Sequence, residues 1–208
     1  MVREGTHAFD AWNKLNLVAR VYQAVDREPE ARGTGNGGFF AATPINDAVE
    51  ILIRGARLGM WNLYPDSGYF MDAGSGDGRI VAALASLGYN TLGIEKDEQL
   101  YAKSQEILSL LGKRGGVNGN WRVVKGDFTQ QETYERAGVR FEDIHNFFMG
   151  VNAQPLEKLV EMMQHRSPPH ATLTTFEPAG SAHKNIPFRL MDRYGIGVIG
   201  EVKIYRVQ

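Results

Sequence analysis

Cysteine is missing from all 208 residues, which excludes disulfides, thiolate metal sites and a cysteine nucleophile. Long uncharged apolar runs are missing too, so the sequence offers no segment to span a bilayer, and "MVREGTHAFDAWNKLN" at the start has no signal-peptide core. A cytoplasmic protein without a membrane partner is the expectation. Net charge is nearly absent, −1 from 23 Lys and Arg against 24 Asp and Glu, which gives no strong signal for nucleic acid. The five histidines, His7, His145, His165, His170 and His183, are scattered without metal-ligand spacing, so no metal is expected. Internal repeats and low-complexity tracts are lacking as well.

What is present is an ordinary globular balance, 43% apolar and 23% charged, in a length that suits one α/β domain. Phe9, Trp12, Leu15, Val18, Tyr22 and Val25 recur at helical spacing and predict an N-terminal helix. The charged, glycine-rich run Asp26 to Gly38 predicts a mobile loop. Residues 1–38 are therefore read as a helical extension or lid, and 39–208 as the main domain. Thr43 is placed to cap a second helix with Pro44 in its first turn, and Ile45, Ala48, Val49, Leu52, Ile53 and Ala56 form its stripe. From Tyr69 onward short apolar runs alternate with helical patterns, the signature of βαβ units and a parallel sheet. Phe188 to Val207 instead reads as two strands around Tyr194-Gly195-Ile196-Gly197, a β-hairpin with at least one antiparallel strand.

The segment "YFMDAGSGDGRI" puts Gly74, Gly76 and Gly78 between the first strand and its helix. Glycines there take positive φ and let a ligand touch the backbone, beside the free N–H groups of a helix start. The spacing is Gly-x-Gly-x-Gly, not the dinucleotide Gly-x-Gly-x-x-Gly. Asp72 suits a ligand with an ammonium group better than a pyrophosphate. Glu95 closes the second strand 23 residues after Asp72, where a carboxylate can accept from both ribose hydroxyls. Asp127 in "KGDF" either caps a turn or marks the third strand tip. Arg79 is expected to be an exposed residue of the first helical turn.

"DAGSGDGRI", "GIEKD" and "VVKGDF" together resemble the Class I S-adenosylmethionine-dependent methyltransferases, over roughly Phe40 to the C-terminus. The resemblance implies an enzyme with a three-layer Rossmann-like α/β sheet of seven strands, mostly parallel, with the C-terminal hairpin inserting an antiparallel strand. It implies S-adenosyl-L-methionine as cofactor and S-adenosyl-L-homocysteine as product. Asp72, Gly74, Ser75 and Gly76 would surround the methionine part. Glu95 would hold the ribose, Lys96 would line the adenine, Asp127 would accept from the adenine amino group, and the Phe128 backbone would reach a ring nitrogen. "GFFAATPINDAVEIL" resembles the corresponding stretch of archaeal protein-lysine methyltransferases, which implies that the turn ending at Thr43 covers the methionine end.

The acceptor is expected above the fourth strand. "NFFMGVN" stands where many amino-group methyltransferases of nucleobases carry Asn/Asp-Pro-Pro-aromatic, so an amine acceptor is expected, protein lysine or a small molecule. Phe148, Asn152 and Glu177 are its candidate contacts, with at least one of Phe147 and Phe148 serving the core. Two rivals remain: a nicotinamide-dependent oxidoreductase, and a module that binds the cofactor without catalysis.

Overall fold

The computed structural model describes residues 4–27, 34–35, 38–39, 43–59, 68–117, 120–150, 153–178, 186–196 and 200–208. Helix α1 (Glu4–Val25) buries Leu15, Val18, Tyr22 and Val25, the stripe that the spacing predicts. Trp12 departs from it at 54% exposed, beside a groove between α1 and α2. Strands β1 (Thr34–Gly35) and β2 (Gly38–Phe39) form a short antiparallel pair that overlaps the stretch Asp26 to Gly38 read as loop.

Helix α2 (Ile45–Arg57) begins after an extended Pro44, and no side chain caps it. Thr43 is therefore not the N-cap; the proline moves the helix start on by one residue. The buried set of α2 is Ile45, Ala48, Ile51, Leu52 and Gly55, while Val49 and Ile53 line the groove beside Trp12.

The βα alternation follows: β3 (Tyr69–Ala73), α3 (Arg79–Ser86), β4 (Thr91–Glu95), α4 (Glu98–Lys113), β5 (Trp121–Lys125) and α5 (Gln131–Ala137). A 3-10 turn at Phe141–Asp143 leads into β6 (Ile144–Gly150), then α6 (Ala153–Arg166) and β7 (Thr172–Pro178). The chain closes with β8 (Arg189–Ile196) and β9 (Gly200–Arg206). Strand β8 runs on through Gly195 to Ile196, past the predicted turn, because Tyr194 and Ile196 alternate inward and are buried.

The seven-stranded sheet has the order β5-β4-β3-β6-β7-β9-β8. Pairs from β5 to β7 are parallel, and β9 lies antiparallel between β7 and β8. One face packs on α1 to α4 through Phe70, Phe148, Val202 and Ile204. The other packs on α5 and α6 through Met71, Leu92, Ile94, Phe147 and Leu173. Alternation along a central strand sends Phe147 and Phe148 to opposite faces, so both are core residues. The order reverses between β3 and β6, which places the crevice of such a sheet beside the carboxyl end of β3.

Candidate cofactor site

Gly74, Gly76 and Gly78 have φ of +79°, +54° and +80°, a left-handed path that an L side chain resists. The turn is tied down by backbone bonds. Gly74 and Ser75 both donate to the Ile94 carbonyl, at 2.9 and 3.0 Å, and Gly78 donates to the Ser75 carbonyl at 2.9 Å. A Cβ built on Gly74 would meet nothing within 4 Å among the described residues, so the backbone there is open on that side. A Cβ on Gly78 would stand 3.0 Å from the Ser104 Cβ, so that glycine serves the packing of α3 on α4.

Glu95, at the tip of β4, is bonded back to the turn. Its Oε2 accepts from Gly76 N–H at 2.7 Å, and Oε1 accepts from Asp97 N–H at 2.8 Å. Each carboxylate oxygen keeps a second lone pair for a ligand hydroxyl. Asp97 in turn caps α4 through Gln99 and Leu100 N–H at 2.9 and 3.0 Å.

Asp72 is 3% exposed. Burial, then the neighbouring charges of Glu95 and Asp77, push its carboxyl well above the usual range. Among the described residues no cationic side chain pairs with it. Asp77 differs, because Arg79 Nε and Nη2 donate to it at 3.0 and 2.6 Å. Arg79, expected at the surface, is 4% exposed. It is buried because it bonds Asp77, Asp26 and the Thr43 carbonyl together.

A cavity of about 220 Å³ opens at the tips of β3, β4 and β5, lined by Gly74, Glu95, Lys96, Asp127, Phe128 and Lys158 among others. Asp127 Oδ1 accepts from Thr129 N–H and Oγ1 at 2.9 and 2.7 Å, while Oδ2 lies 3.7 Å from Lys96 Nζ. Partial burial raises its pKa, but the Thr129 bonds and the charges of Lys96 and Lys158 outweigh that, and the carboxyl sits below its usual value. Asp127 thus caps the turn and lines the cavity at once. The Phe128 carbonyl accepts from Tyr134 Oη at 2.6 Å and so is already engaged within the protein. Sequence reasoning missed Thr129, Pro155 and Lys158; the one signal for the last two was their place in the first turns of α6.

The remaining predicted residues fall elsewhere. Ser75 lies with its Oγ over Gly93, whose absent Cβ would come within 2.8 Å, so its side chain faces the sheet. Thr43 meets the site through its carbonyl, bonded to Arg79 Nη1 at 3.0 Å. Phe148 is packed in the core at 2% exposed, so its ring is not presented as the expected acceptor contact. Glu177 is buried against Lys203, with Oε2 2.8 Å from Nζ, and does not stand free for an acceptor. Asn152 lies outside the described residues. Among the described residues there is no group of His, Cys, Asp or Glu that could hold a metal, and no helix is long and apolar enough to cross a membrane.

No protein-family model matches the chain, and no curated protein sequence does. Solved structures do. An RNA methyltransferase from Salinibacter ruber, determined with S-adenosyl-L-homocysteine, is 20% identical with a TM-score of 0.54, over 80% of this chain and 93% of that one. The rRNA methyltransferase aviRa from Streptomyces viridochromogenes is 15% identical with a TM-score of 0.58, over 90% and 93%. The putative methyltransferase yhhF from Escherichia coli is 14% identical with a TM-score of 0.56, over 77% and 85%. The RNA enzymes among these neighbours overturn the expectation of a protein-lysine or small-molecule amine acceptor without nucleic acid, and kinship with archaeal lysine methyltransferases finds no support. The amine acceptor rests on "NFFMGVN" lacking Asn/Asp-Pro-Pro-aromatic, and the missing nucleic-acid signal on net charge, a sum over the chain that says nothing of the face around one cavity. At these identities the likeness speaks to architecture: the chain carries the Rossmann-like methyltransferase fold, a seven-stranded mixed sheet between helices with an antiparallel C-terminal hairpin.

Proposed function

We propose that this chain is an S-adenosyl-L-methionine-dependent methyltransferase with RNA as its acceptor. The observation that carries the cofactor is Asp72, a buried carboxyl beside an open, bare-backbone turn and without a pairing cation among the described residues. An ammonium group on the ligand would supply that cation. Glu95 then offers lone pairs to ribose hydroxyls, and Asp127 Oδ2 with the Phe128 N–H faces the adenine edge, flanked by Lys96 and Lys158. Gly74 and Gly76 let the methionine part approach the backbone, with Ser75 holding the turn against β4.

When bound, the cofactor supplies an electrophilic methyl group on a sulfonium. The protein's own work is then alignment and exclusion of water, and a general base is needed only for an acceptor that arrives protonated. Residues 39–208 are read as the methyl-transfer domain and 1–38 as the extension that adds α1. An RNA acceptor is supported by the neighbours that act on RNA and by exposed cations at the cavity, such as Lys96 at 82%.

Thermal-shift titration tests the cofactor: S-adenosyl-L-homocysteine should stabilise the protein and NAD should not. Incubation with cell extract and methyl-labelled cofactor tests the acceptor. Label in the RNA fraction is expected; label confined to protein or to small molecules would refute RNA, and no label anywhere would favour a binding module.

A further inference from the structure

Arg79 joins three segments at the glycine turn. Its Nε and Nη2 donate to Asp77 within the turn, at 3.0 and 2.6 Å. Nη2 also donates to Asp26 Oδ1, just past the end of α1, at 2.9 Å. Nη1 donates to the Thr43 carbonyl, just ahead of α2, at 3.0 Å. The Tyr22 ring lies 5.2 Å from the guanidinium, and its hydroxyl donates to the Asp77 carbonyl at 3.0 Å.

Arg79, Asp77 and Tyr22 are all buried. Holding α1 on the sheet does not require this, since Leu15, Val18 and Val25 already bury an apolar stripe, and apolar packing is often the more stable choice at such a place. What the network adds is specificity of position: a planar, forked donor fixes two carboxylates in direction as well as distance. It also pairs off Asp77, so that of the three clustered acids Asp72 is left to face an ammonium group while Glu95 is held by Gly76 and Asp97 N–H.

We propose that Arg79 is a positioning residue for the cofactor site, setting the glycine turn through Asp77 and making that setting depend on α1 through Asp26. This rests on the reading of the turn as the cofactor site. The coupling is reciprocal: a ligand at the turn slows the opening of α1, and loosening the end of α1 weakens the ligand.

The test uses the full chain with Asp26→Asn, Asp26→Glu and Arg79→Lys, measuring S-adenosyl-L-homocysteine affinity by calorimetry and amide hydrogen exchange with and without ligand. Asp26→Asn should lose about fivefold in affinity, Arg79→Lys at least as much, and Asp26→Glu should recover most of it. Without ligand, Asp26→Asn should speed exchange at Gly74, Gly76 and Gly78, whose N–H groups are bonded in the wild type, and leave α4 unchanged. In the wild type the ligand should slow exchange in α1, and in Asp26→Asn it should do so less. Variants that merely melt earlier, with unchanged affinity and unchanged exchange at the glycine turn, would overturn the proposal. If the wild type fails to bind S-adenosyl-L-homocysteine, the functional reading falls, and exchange at the turn still decides the role of Arg79.

Discussion

Asp72 on β3 and Glu177 on β7 are both acids near the carboxyl ends of central strands, 3% and 1% exposed. Their surroundings differ in sign. Around Glu177 the chain provides a cation, Lys203, at 2.8 Å, and the Thr175 hydroxyl donates to the other oxygen at 3.2 Å. Around Asp72 it provides two more acids, Glu95 and Asp77, and the carboxyl is held well above its usual range. Burying a charge is costly unless it is paired. A fold that completes one acid and leaves the other incomplete has a structural ion pair at the first place and, on the proposed function, half of a ligand site at the second.

Substitutions can break either side of this contrast. The largest effect is expected from Lys203→Met, which takes the Lys203 charge away from buried Glu177 and should cost about 3 kcal/mol of stability. Urea unfolding would show this as a lower midpoint at unchanged slope, with cofactor affinity intact.

Asp72→Asn should act in the opposite direction on stability. Because the folded-state pKa of Asp72 lies above that of the unfolded chain, its ionisation destabilises the fold; this cost is absent below the unfolded value and complete above the folded one. At neutral pH the ligand-free variant should therefore melt higher than the wild type. Its affinity for S-adenosyl-L-homocysteine should fall by about 2 kcal/mol, the scale of one lost hydrogen bond to a charge.

Protons sharpen the comparison further. In the wild type, affinity should rise by up to about tenfold per pH unit from the ordinary carboxyl range toward the raised value of Asp72, with proton release on binding. Calorimetry in buffers of different ionisation enthalpy reads that release, and Asp72→Asn should abolish it. The smallest effect is expected from Glu95→Gln, which keeps the shape but weakens the acceptor for Gly76 N–H and for the ribose, at about 1 kcal/mol of affinity.

The parts legible in the sequence were those set by local spacing. Glycines at 74, 76 and 78 demanded a left-handed turn, and acids at 72, 95 and 127 fell at successive strand tips because βα units have regular lengths. The hairpin was legible because no helix fits between its two runs. What stayed hidden depended on partners far along the chain. Arg79 read as exposed because Asp26, 53 residues away, gives it a reason to be buried. Glu177 read as free because Lys203 reaches it only through the antiparallel register that sets Thr175 against Lys203. Phe148 read as an acceptor contact because helices on both faces of β6 cannot be counted from its own seven residues.

Strand β9 lies between β7 and β8, yet it is made after both. Among the described residues β8 pairs with β9 alone, so it lacks that neighbour until Gly200–Arg206 has left the ribosome. Five parallel strands can assemble during synthesis while the edge of β7 stays bare, a template for unwanted pairing. Removing β9 would therefore do more than shorten the sheet: it would unfasten its neighbour and leave that growing edge permanently open.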